Sequence, residues 1–74
     1  MTTASRAYIV RDADGGPGEV TQVYGYTLKG LTTALEDARF RSFHGAPQAV
    51  AVLRDGQSTV IRRFEGGHEV PLPP

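Results

Sequence analysis

Apolar positions recur at helical spacing in one long run and crowd into short, strand-like runs on either side of it. Leu28, Leu31, Ala34, Leu35 and Ala38 fall three or four residues apart, so they share one face of a helix that starts between residues 28 and 33 and closes at His44. Thr27 caps this helix if it starts early; Thr33, with Glu36 three residues later, is a capping box if it starts late. Gly30 weakens its interior by about 1 kcal/mol relative to alanine. Gly45 offers a left-handed stop, and Pro47 prevents continuation.

Two strand-like runs precede the helix. The first is Arg6 to Arg11 and the second Glu19 to Tyr26, joined by the turn-rich Asp12-Ala13-Asp14-Gly15-Gly16-Pro17-Gly18. Two more follow it. Pro47 to Arg54 is almost continuously apolar, as in a central strand buried on both faces. Asp55-Gly56 is a hairpin turn leading into Ser58 to Phe64, which Gly66-Gly67 ends. The expected fold is therefore α+β in ββαββ order: a four-stranded antiparallel sheet with one helix packed on one face. Residues 1–5 read as a disordered N-terminus, 6–66 as the single domain and 67–74 as an extended Pro-rich tail.

This order leaves surfaces to be covered. Strand alternation places apolar residues on both sheet faces, and one helix covers only one of them. In the first strand Tyr8 and Val10 oppose Ala7, Ile9 and Arg11; in the last, Val60, Arg62 and Phe64 oppose Thr59, Ile61 and Arg63. The second face is expected to be partly apolar and to pair with another sheet or a ligand. On the helix, Phe40 and Phe43 fall off the core-facing side and group with Glu36. They form a second apolar stripe that meets a partner, unless Phe43 tucks under the sheet edge and leaves Phe40 as a single exposed ring.

Size sharpens the expectation of association. A chain of 74 residues without cysteine has no disulfide to supplement a small core, and two histidines do not make a structural zinc site. Oligomerisation is the remaining source of burial, so a homodimer or a complex with a larger protein is expected. The lack of cysteine, of a long apolar run and of a signal-peptide stretch fits a cytoplasmic protein with no membrane partner.

Formal net charge is zero, which argues against indiscriminate nucleic-acid binding. Seven of the eight basic residues are nonetheless arginine, whose planar fork suits phosphate, carboxylate and aromatic partners. Arg54, Arg62 and Arg63, beside Tyr8, Tyr24, Tyr26 and Phe64 on the sheet, compose a stacking platform with a basic rim in a second reading of the chain, as a small nucleic-acid-binding regulator.

Catalytic motifs are missing. No dinucleotide-binding Gly-x-Gly-x-x-Gly, phosphate-loop or His-Glu-x-x-His pattern occurs. Gly15-Gly16-Pro17-Gly18 precedes a strand rather than a helix. Asp12 and Asp14 begin a cation-loop alternation that stops at that run. No spacing joins His44 or His68 to an acid, and Ser42, Ser58 and Thr59 lack a nucleophile elbow. The expectation is a protein that is not an enzyme and uses no cofactor or metal.

Tyr8-Ile9-Val10-Arg11-Asp12-Ala13-Asp14-Gly15-Gly16, a second strand, and Thr33-Ala34-Leu35-Glu36-Asp37-Ala38-Arg39 resemble the opening of HicB-type antitoxins, in which a strand and an acidic-Gly turn precede an Ala-Leu-x-x-Ala helix. The Arg54-Asp55-Gly56 hairpin after the helix is more like short bacterial domains of unknown function with the same ββαββ order. The resemblance spans about residues 7–66 and implies a regulatory, antitoxin-like role. The Pro-Gly-Cys segment of the antitoxins is absent here, and no functional residue carries over. The best-supported expectation is a non-enzymatic interaction module, self-associating through its sheet or docking through the Phe40 side of the helix. Its candidate partner-binding residues are Phe40, Phe43, Tyr24, Tyr26, Arg54, Arg62 and Arg63.

Overall fold

A computed structural model describes residues 6–15 and 20–73. Strands β1 (Arg6–Asp12) and β2 (Gln22–Gly25) precede helix α1 (Leu28–His44); β3 (Gln48–Arg54), β4 (Gln57–Glu65) and β5 (His68–Val70) follow it. One antiparallel sheet runs in the order β2-β1-β3-β4-β5, with α1 on one face. The α+β class and the central place of β3 agree with the sequence. Four strands in ββαββ order do not, because residues 68–70 of the expected tail form a fifth strand. The expectation of disorder for residues 1–5 lies outside the described residues, as do Gly16 to Gly18 of the loop and Glu19 of the second strand.

The fifth strand exists because Gly66 and Gly67, at φ 58° and 85°, make a tight turn rather than a stop. Such a two-residue turn with both φ angles positive matches strand twist and returns the chain along β4. Asp55 and Gly56, at φ 50° and 82°, make the same turn between β3 and β4. The backbone N–H of Gly67 donates to the hydroxyl of Ser42 on α1 at 3.0 Å, and that hydroxyl donates to the Arg39 carbonyl at 2.9 Å. Ser42 is buried and Gly67 half-buried, so helix and final hairpin are joined by a partly buried polar contact.

At the other end, Thr27 caps α1: its hydroxyl accepts from the Gly30 N–H at 2.9 Å. The alternative box at Thr33 does not form, since the Thr33 hydroxyl bonds back to the Lys29 carbonyl. Gly45 has φ −167°, an extended value, so the expected left-handed stop is absent. Leu28, expected against the sheet, is 81% exposed. The first turn instead makes its close approach through Gly30, which lies directly on the backbone of Gly25 at the end of β2.

The core is small and dense. Ala34, Ala38 and Ser42 recur every four residues and are buried, so the helix axis sits close to the sheet. Beneath it lie Val10, Val50 and Phe64, all fully buried, flanked by Tyr8, Tyr24, Leu35 and Ile61. Burying a side chain the size of Phe64 contributes about 1.5–3 kcal/mol. Simple alternation in β4 puts Ile61 opposite Phe64. A register shift between Val50 and Ala51 interrupts it, and Ile61 packs with the Phe64 cluster.

On the far face one row crosses four strands: Val23, Ile9, Ala51 and Val60 are successive cross-strand partners. Here the expectation of an uncovered apolar flank needs correction. Ile9, Ala49 and Ala51 are buried, and of that row only Val23, on edge strand β2, is largely exposed. Leu72 and Pro73, beyond β5, line with Ala13, Ala49, Val60 and Arg63 a cleft of about 260 Å³ on this face. Leu72 and Pro73 thus lie against part of the surface expected to receive a partner.

Candidate docking groove on helix α1

The largest exposed aromatic surface lies on the helix, away from the sheet. Phe40 is 65% exposed and Phe43 is 68% exposed, so the arrangement with Phe43 tucked under the sheet edge does not occur. With Glu36, Arg39 and Gly67 they line an open groove of about 370 Å³ between α1 and the β4–β5 turn.

Local structure fixes each wall. The phenylalanines are three positions apart, which places them on neighbouring turns of one side. His44 stands beside both, 4.4 Å from the Phe40 ring and 5.0 Å from the Phe43 ring between centroids. Gly67 lies against Phe43: a β-carbon there would sit 3.0 Å from Cδ1 and 3.2 Å from Cβ of that side chain. Glycine is therefore required by a positive φ and by close approach together. Arg39 extends over the buried Phe64, its guanidinium carbon 5.5 Å from the ring centroid, closing the core beside the groove.

The other candidate residues are not brought into one site. Tyr24 faces the helix, donating to Asp37 at 2.8 Å, and Asp37 also accepts from Arg41 at 2.8 Å. Burial, then the bond to Asp37 and its charge, push the Tyr24 phenol above its ordinary range, partly offset by Arg41. Tyr26 stacks on Tyr8 at 4.9 Å under the Arg6 guanidinium, at the β2 side of the sheet. Arg62 pairs with Glu69, and Arg63 with both Glu65 and Asp14. Hydrogen bonds to Glu65 first and Asp14 second hold the Arg63 guanidinium even more firmly charged than usual. Arg54 is exposed at the far end of the β3–β4 hairpin. Phe64 is fully buried, and Arg63 belongs to the opposite sheet face from the tyrosine pair Tyr8 and Tyr24. These arginines and aromatics do not make a continuous stacking platform.

Among the described residues no group of three or more His, Cys, Asp or Glu is placed to hold a metal ion, and no helix is long and apolar enough to cross a membrane. Sequence reasoning found Phe40, Phe43 and Glu36 but missed Arg39, His44 and Gly67. The signal for Gly67 was the Gly-Gly pair itself, a hairpin turn that folds the chain back beside the helix. Comparison with protein-family models, curated proteins and solved structures finds no match to this chain.

Proposed function

We propose that this chain is a small non-catalytic interaction module that docks a protein partner in the groove between α1 and the β4–β5 turn. The observation that carries this reading is the pair of phenylalanines, both about two-thirds exposed, on one wall of an open cleft. Adjacent exposed aromatic rings beside a groove are costly to leave in water and supply the anchors on which interfaces depend. Glu36, Arg39 and His44 give the rim polar groups that fix orientation. The helix surface is preferred to the sheet because the middle of the far face is already buried.

A photoreactive residue in place of Phe40 or Phe43 tests the proposal in cells, with Arg54 and Ser58 as control positions. The expected result is a discrete adduct of one mass from the helix positions and none from the controls. Absence of adducts, or equal labelling from all four positions, contradicts it.

A further inference from the structure

Resting on the reading of this groove as a docking surface, we infer that its occupant is a second copy of this chain, bound antiparallel across a two-fold axis at Phe40. A two-fold interface must carry knob and hole on one patch, because each copy presents the same surface. This patch does. Phe40 protrudes at 65% exposure, and the groove it borders, walled by Phe43 and floored by Gly67, has room for a ring from outside.

Polar placement gives the direction, because an imidazole N–H donates and a carboxylate accepts. Glu36 lies four residues before Phe40 and His44 four residues after it, each about 6 Å from it along the axis at 1.5 Å per residue. A two-fold axis through Phe40 exchanges these positions, so each Glu36 meets the second copy's His44. Parallel alignment in register would set Glu36 beside Glu36. His44 is held on the patch by its contacts with both phenylalanines, which keeps the imidazole where a carboxylate can reach it. Antiparallel pairing also covers both exposed rings at once. A domain this small with no cysteine gains most from such added burial.

Sedimentation velocity of the purified chain across a concentration series tests this, with folding of each variant checked by circular dichroism. The expected mass rises from 8.0 kDa toward twice that value. Phe40→Ala weakens association by at least about tenfold. His44→Glu or Glu36→Lys weakens it by roughly threefold or more, and the double variant Glu36→Lys/His44→Glu restores it by reversing the pair. Dimerisation that ignores all of these changes overturns the second copy as the occupant of the groove, and the absence of adducts from position 40 then overturns the groove as well. Loss in Phe40→Ala without rescue in the double variant overturns the antiparallel pairing. A monomer at every concentration, with adducts heavier than two chains from position 40, overturns the second copy and leaves the groove as a site for another protein; a monomer with no adducts overturns both.

Discussion

Replacing Gly30 with alanine sets two effects against each other, and the geometry decides the sign. Inside a helix this change ordinarily stabilises by about 1 kcal/mol, because glycine has more backbone freedom to lose. Here the new β-carbon would overlap the carbonyl oxygen of Gly25 and lie 2.9 Å from its carbon. The obstructing atoms belong to the backbone of β2, so no side-chain rotation relieves them. Either α1 lifts away, loosening Ala34 and Ala38 from the sheet, or the end of β2 is displaced. Overpacking of this kind costs about 1–3 kcal/mol, and a rigid neighbour places the cost toward the upper end. The net expectation is a destabilisation of about 1–2 kcal/mol. For a domain of this size that lowers Tm by roughly 5–15 °C. Thermal and urea unfolding followed by circular dichroism measure it, with Thr32→Ala as the control, exposed on the same helix. A Gly30→Ala protein more stable than the parent would refute the crossing of α1 over β2.

Two further substitutions probe the polar contacts. Tyr24→Phe removes the bond to Asp37 and costs about 1 kcal/mol near neutral pH by urea unfolding. Because the folded-state pKa of Tyr24 is raised, its proton-linked stability is complete below the ordinary value of 10.0 and is lost as pH rises through the folded value; the Phe variant should show a shallower alkaline decline, and identical slopes would contradict this. Ser42→Ala leaves the Gly67 N–H without its buried acceptor and destabilises by about 1–3 kcal/mol. Hydrogen exchange should then quicken at the β5 amides before it does at β3, whereas unchanged β5 protection would mean that Ser42 does not hold the final hairpin.

Periodicity made the layout readable wherever a local signal matched a local structure. The apolar run Ala49 to Leu53 marked the central strand, and Asp55-Gly56 marked a tight turn. Leu31, Ala34, Leu35 and Ala38 gave the core side of α1, and exclusion from that side gave Phe40 and Phe43. Long-range contacts were not readable in this way. Three residues of β5 carry too little pattern to register as a strand, and their place depends on a glycine turn and on the bond from Gly67 to Ser42, 25 positions earlier in sequence. Burial of Ile9 and Ala51 on the far face likewise depends on tertiary packing that alternation does not encode. Alternation also failed at Ile61, where the register shift changes which side chains enter the core. The arginines of β4 looked available as a set because the sequence does not reveal Glu69, Glu65 and Asp14 as their partners.

An amide chemical-shift map of the isotope-labelled chain, recorded from high concentration through serial dilution, asks where the molecule meets its partner. Shifts should move together at Glu36, Arg39, Phe40, Phe43, His44 and Gly67, while the exposed edge of β2 around Val23 stays fixed. Movement confined to β2 or to the far sheet face, with the helix positions unchanged, would contradict docking through α1.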